Sequence, residues 1–173
     1  MNILALFKPI TTFVFDLDGV LTDGNLLITH EGHWLRSMST RDGFALQLAI
    51  KKGYNILVIT GSESNAVAAR LKKLGINDFH QNIKDKAAVL QEYIDEKALI
   101  PPEILFMGDD VPDYSAMKLC GLPSCPMDAV SDIKQISIYI SPFGGGKGCV
   151  RDVIEKVLKL NNHWELETSV PST

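Results

Sequence analysis

The sequence predicts an α/β fold, a mostly parallel sheet with helices on both faces. Three observations predict it. Short apolar runs rich in aromatic and β-branched residues recur at 12–16, 55–59 and 103–107, the pattern of strands buried on both sides. Segments of helical periodicity separate them. Each run ends in polar or acidic residues, which a parallel sheet would bring to the one edge where such sheets bind ligands.

Thr12-Phe-Val-Phe-Asp16 is the first buried strand. Asp23-Gly24 punctuates the chain. Two short strands at 26–29 and 33–38 then flank the turn His30-Glu31-Gly32, giving a β-hairpin insertion over about 24–39. Asp42 is placed to cap a helix running to about Lys52, where Gly53 stops it. Residues 55–59 form the second buried strand. Ser62 or Glu63 opens a helix that carries Val67, Leu71 and Leu74 and ends at Gly75. Residues 78–80 are extended, and 84–97 are helical through Ala87, Leu90 and Ile94. Pro101-Pro102 breaks the chain before the third strand at 103–107. A short helix at 112–119, an extended piece at 123–126, a helix at 129–135 and a weaker strand at 136–140 follow. A glycine-rich turn at 144–148 leads into an amphipathic helix over 149–160, and 161–173 reads as a flexible C-terminal tail. With no repeat or linker, residues 1–160 are expected to form a single domain.

Composition narrows the function classes. With 46% hydrophobic and 22% charged residues, the chain can bury a core and is not disordered. Its formal net charge is −4 and its Lys and Arg are scattered, which argues against nucleic acid as a partner. No apolar run reaches the ~20 residues of a bilayer span. Residues 1–9 lack the basic stretch and cleavage site of a signal peptide, so no membrane partner and a cytoplasmic location are expected. Cys120, Cys125 and Cys149 are odd in number and lack zinc-site spacing, as expected of thiols in a reducing compartment.

The chemistry lies at the strand ends. Asp16-Leu17-Asp18-Gly19 follows the first strand, Thr60-Gly61-Ser62 the second, and Gly108-Asp109-Asp110 the third, with Asp113 close behind. Asp16, Asp18 and Asp109 make an oxygen-rich metal site that suits Mg²⁺ and a phosphate. Asp16 can attack phosphorus to give an aspartyl-phosphate. Asp18, two residues on, can protonate the leaving oxygen and later activate water. The Thr60 hydroxyl, the amides near Gly61 and the ammonium of Lys86 at a helix start would hold the phosphoryl oxygens. Other motifs fail. An EF-hand would place Val20 and Leu27 at ligand positions, and a P-loop would need glycine at Ser141 and Ser or Thr at Gly148. His30 and His33 lack the spacing of a zinc protease.

Asp16-Leu-Asp-Gly-Val-Leu-Thr22, Thr60-Gly61, Lys86 and Gly108-Asp-Asp-Val-Pro-Asp113 resemble, in order, the four motifs of the haloacid dehalogenase superfamily. The resemblance implies a Rossmann-like fold with Asp16 as nucleophile, Asp18 as acid/base, Thr60 and Lys86 on the phosphate, and Asp109 on Mg²⁺ supported by Asp110 and Asp113. Residues 23–42 leave room only for the hairpin and 75–86 are too short for a cap domain, so the chain resembles a capless member. The hairpin, Thr40-Arg-Asp-Gly43, 82–86 and 144–152 are similar to the 3-deoxy-D-manno-octulosonate 8-phosphate phosphatases. That branch implies a phosphorylated keto-sugar acid substrate, a role in lipopolysaccharide precursor synthesis, and a homotetramer whose hairpins pair and whose subunits cover one another's sites. Members often carry Arg where this chain has Ser62. Arg41, Arg70, or a neighbouring subunit's Arg151 or Lys147 are the candidate substitutes for that contact to the sugar-acid carboxylate. A phosphatase of a nine-carbon keto-sugar acid 9-phosphate is the alternative, and Gly61-Ser62 argues mildly against it. A non-catalytic oligomerisation module, or a phosphatase of protein or nucleic acid, are readings from other classes.

Overall fold

The computed structural model describes residues 2–165 and 169–170. Six parallel strands form one sheet: β1 (Thr12–Phe15), β4 (Asn55–Ile59), β5 (Asp78–His80), β6 (Ile104–Met107), β7 (Leu122–Cys125) and β8 (Tyr139–Ile140). Their spatial order is β5-β4-β1-β6-β7-β8. The chain builds outward from β1 through β4 to β5, then crosses to the other side of β1 and builds outward again from β6. The order therefore reverses between β1 and β6, where a crevice opens beyond the carboxyl ends of the strands. Register places Phe15 between Val58 and Met107, so the residues following these three strands emerge side by side.

Alternation along each central strand divides the core into two layers. Phe13, Phe15, Ile56, Val58, Leu105 and Met107 face one side. There they pack with α1 (Leu4–Phe7), α2 (Thr40–Lys51), α3 (Asn65–Lys73) and α7 (Cys149–Leu160). Val14, Leu57, Ile59, Ile104 and Phe106 face the other side, against α4 (Lys86–Glu96), α5 (Tyr114–Met117) and α6 (Ser131–Ile136). The short helix α1 lies in the apolar run 3–7 and buries Phe7 edge-on against Tyr139.

Outside the sheet, β2 (Leu27–Ile28) and β3 (Trp34–Leu35) form an antiparallel hairpin, tied at its base by a bridge between Thr22 and Met38. Its strands are shorter than the sequence suggests. Leu27, Ile28, Trp34 and Leu35 are all exposed.

Two helix starts differ from the sequence reading. The cap of α2 is Ser39, whose hydroxyl accepts from the Asp42 amide at 3.3 Å. Asp42 lies inside the first turn and caps a different helix, as its Oδ1 accepts from the Arg151 amide of α7 at 2.8 Å. The cap of α3 is Ser64 rather than Ser62 or Glu63, because the Ser62 hydroxyl is turned toward Thr60. The expectation of a flexible tail falls partly on 166–168 and 171–173, outside the described residues. Of the rest, the His163 ring is hydrogen-bonded to Tyr54 at 2.9 Å and Trp164 packs edge-on to Phe44.

Candidate active site

The first strand delivers Asp16 directly into the crevice. After it the chain turns through Leu17–Leu21, where Gly19 takes φ +95, a conformation that favours glycine. The glycine has a second reason. A Cβ at Gly19 would lie 2.0 Å from Oδ2 of Asp109, so the Asp109 carboxylate rests on the bare Cα. Thr22 closes the turn. Its hydroxyl accepts from the Gly19 and Gly24 amides and donates to Oδ1 of Asp18 at 3.3 Å. The loop 144–148 braces this turn from behind, with the Gly146 amide bonded to the Val20 carbonyl at 2.9 Å.

From β6, Gly108 leads to Asp109 and Asp110. Asp113 folds back under them, and its Oδ2 accepts from the Asp109 amide at 3.0 Å. Asp110 caps the short turn Val111–Asp113 through its Val111 contact at 2.7 Å. Lys86 comes from the start of α4, whose cap is Asp85. Its ammonium bridges Asp16 at 2.8 Å and Asp113 at 2.6 Å. Thr60, 2% exposed, directly follows β4, and its hydroxyl accepts from the Ser62 amide at 3.1 Å.

Oxygens of Asp16, Asp109 and Asp113 lie within 4.8 Å of one another. Three carboxylates share one ammonium, and the electrostatics register the imbalance. Burial, with Asp113 nearby, pushes Asp16 up to about 7. Burial, then the charges of Asp16, Asp113 and Asp110, pushes Asp109 up to about 8. Lys86 is raised as well, which for an ammonium favours the charged form. Burial alone would depress it, but Asp16 and Asp113 outweigh that and raise it. Oδ1 of Asp109 is buried without a hydrogen-bond partner. A small divalent cation with a preference for oxygen would satisfy that atom and balance the excess negative charge, so the set fits Mg²⁺.

Asp18 is placed differently. Its carboxylate is not in this trio; Arg36 grips it as a fork, Nε to Oδ1 at 2.7 Å and a terminal nitrogen to Oδ2 at 3.1 Å. Burial would raise Asp18, yet hydrogen bonds from Arg36, Ser62 and Thr22 hold it below the usual carboxylate range. Arg36 is absent from the sequence reading. The available signal was that it is the hairpin's only Arg or Lys.

The candidate substrate residues separate into two places. Arg70 lines a cavity of about 380 Å³ with Arg36, Ser64 and Trp34, next to Asp18. Arg41 and Arg151 line another, of about 520 Å³, with Lys147 and Glu155, and none of Asp16, Asp18, Asp109 and Asp113 lines it. Arg151 pairs with Glu155 at 3.0 Å and lies over the rings of Phe44 and Trp164.

Comparison with known proteins adds independent findings. No protein-family profile matches the chain. It is 28% identical over 157 residues to the 3-deoxy-D-manno-octulosonate 8-phosphate phosphatase of Escherichia coli K12, covering 91% of this chain and 84% of that protein. It is 32% identical to the solved 3-deoxy-D-manno-octulosonate 8-phosphate phosphatase of Moraxella catarrhalis, a complex with magnesium, phosphate and KDO. The TM-score there is 0.89, and 94% of each chain is covered. A structure from Legionella pneumophila, assigned to subfamily III A of the haloacid dehalogenase superfamily, matches at 30% identity and TM-score 0.89 over 92% of this chain and 88% of that one.

Proposed function

The chain belongs to the 3-deoxy-D-manno-octulosonate 8-phosphate phosphatase family of the haloacid dehalogenase superfamily, and from that membership we propose how its own residues perform phosphate hydrolysis. The substrate is 3-deoxy-D-manno-octulosonate 8-phosphate, and the products are the free sugar acid and phosphate, a step in lipopolysaccharide precursor synthesis. The observation that carries this reading is the convergence of Asp16, Lys86, Asp109 and Asp113 at the switch between β1 and β6.

Asp16, Asp109 and Asp113 are the residues that would hold Mg²⁺, which supplies charge neutralisation between the nucleophile and the phosphate dianion. Asp16 attacks phosphorus with one carboxylate oxygen as the ester P–O bond breaks. Asp18 gives its proton to the departing oxygen. Asp18 then takes a proton from the water that attacks the aspartyl-phosphate, which restores the Asp16 carboxylate and releases phosphate. Lys86 holds Asp16 in line, and the Thr60 hydroxyl, fixed by the Ser62 amide, receives the phosphoryl oxygens together with the Gly61 amide and the Ser62 hydroxyl. Arg70, which has no carboxylate partner among the described residues, is the candidate for the sugar-acid carboxylate; Arg41 and Arg151 border the other cavity.

The chain works as a homotetramer in the cytoplasm. The apolar, exposed hairpin supports the first, since such a surface is a liability unless another copy covers it. The three free cysteines support the second. Among the described residues no helix is long and apolar enough to cross a membrane.

The deciding experiment measures phosphate release with Mg²⁺ across phosphorylated keto-sugar acids. The eight-carbon 8-phosphate is expected to give the highest kcat/KM. Preference for the nine-carbon 9-phosphate would move the assignment to the alternative, and no release from any monoester would leave only a non-catalytic module.

A further inference from the structure

Arg36 occupies both oxygens of the acid/base carboxylate. Oδ1 of Asp18 receives Arg36 Nε and Thr22, and Oδ2 receives a terminal nitrogen of Arg36. The fork pins the Asp18 carboxylate outside the Asp16, Asp109 and Asp113 trio, so it swings toward a leaving group only by letting go of Arg36. The Arg36 side chain is 6% exposed and the Asp18 side chain 30%, so the pair is open to solvent on the Asp18 side. Yet Arg36 sits on the hairpin, a two-residue ladder that packs little against the body. Arg36 also lines the 380 Å³ cavity with Ser64 and with Arg70, the candidate for the sugar-acid carboxylate.

We propose that Arg36 is a specificity latch: it holds Asp18 closed in the free enzyme, and a carboxylate on the substrate draws it away and frees the acid/base. This rests on Asp18 being the acid/base of the reading above. The latch makes turnover depend on a group remote from the phosphorus. A monoester bearing a carboxylate competes for the fork, because carboxylates match the guanidinium geometry equally well. A monoester without one leaves Asp18 gripped and reacts slowly however well its phosphate binds. The latch would let a site without a cap discriminate against ordinary phosphate esters through kcat rather than through access.

The test uses the full chain with Mg²⁺ and two monoesters of equal size, glycerol 3-phosphate and 3-phosphoglycerate, which differ by one carboxylate. The wild type is expected to turn over the carboxylate-bearing ester faster. In Arg36→Ala, kcat on glycerol 3-phosphate is expected to rise about tenfold or more, within the range a freed acid can contribute. KM for 3-phosphoglycerate is expected to rise, and the preference to vanish. Arg36→Lys, which has no fork, is expected to fall between the two. An equal fall in kcat on both esters, or no rise on glycerol 3-phosphate, would overturn the latch. A measurement on the unaltered enzyme guards against a misfolded variant. Added glycerate is expected to accelerate wild-type hydrolysis of glycerol 3-phosphate saturably, and absence of acceleration counts against the latch. Neither probe is a keto-sugar acid, so the latch can pass while the substrate assignment fails. A wild type inert to every monoester would overturn both.

Discussion

Replacing Gly19 by alanine tests whether the tight loop exists to seat the metal-binding carboxylate. A Cβ there would stand 2.0 Å from Oδ2 and 2.3 Å from Cγ of Asp109, far inside contact distance. The backbone at φ +95 adds strain of its own. A non-glycine residue in such a region costs about 1–3 kcal/mol. At about 2–4 °C per kcal/mol for a chain of this size, the unfolding temperature should drop by about 2–12 °C. The second effect is specific. Asp109 must move to admit the methyl, and its buried Oδ1 and its place beside Asp16 and Asp113 move with it. The Mg²⁺ concentration for half-maximal phosphate release should rise at least about tenfold, which corresponds to 1.4 kcal/mol of lost binding. Magnesium titration of p-nitrophenyl phosphate turnover, paired with thermal unfolding, separates the two terms. A lowered unfolding temperature with an unaltered titration would mean that only backbone strain matters and that Gly19 does not seat Asp109.

Asp16→Asn should reduce turnover at least about 10³-fold while the unfolding transition is retained, and activity near wild type would remove Asp16 as the nucleophile. Asp109→Ala should weaken Mg²⁺ dependence, seen as a shifted metal titration; an unmoved one refutes the ligand assignment. Asp42 is 1% exposed and burial raises its carboxyl to about 6, despite hydrogen bonds from the α7 amides. The folded chain therefore keeps this proton to higher pH than the unfolded chain, so the stabilisation is complete below about pH 4 and is lost as pH rises through about 6. The swing is up to about 3 kcal/mol. Urea midpoints of wild type and Asp42→Asn should diverge between pH 4 and 6, and parallel curves would exclude Asp42 as the source. Leu27→Ser with Trp34→Ser should lower the mass seen in light scattering below that of the proposed tetramer; a tetramer mass retained in the variant places the interface elsewhere, and a monomeric wild type removes the proposal.

Strand ends could be read from sequence because burial on both faces demands continuous apolar runs, and a parallel sheet sends every following residue to the same edge. Asp16, Thr60 and Asp109 were visible for that reason, and Lys86 because it stands at the start of the helical periodicity over 84–97, although the cap at Asp85 emerged only in the structure. The glycines of the loops were visible only as punctuation. That Gly19 is a seat for Asp109, and Gly108 for Asp113, depends on two loops from different strands meeting.

The sequence by itself determined the order of elements, the α/β class and the acidic residues that follow the first and third strands, since periodicity and chemical type are local properties. Partnership was decided only by the tertiary structure. Asp42, read locally as the cap of its own helix, caps one that starts more than a hundred residues later. Asp113, read as a support, is the third carboxylate of the cluster, and Arg36 closes on Asp18 from a hairpin eighteen positions away. Such pairings depend on where a buried charge finds compensation, and that is fixed by the packing of distant segments rather than by any spacing along the chain.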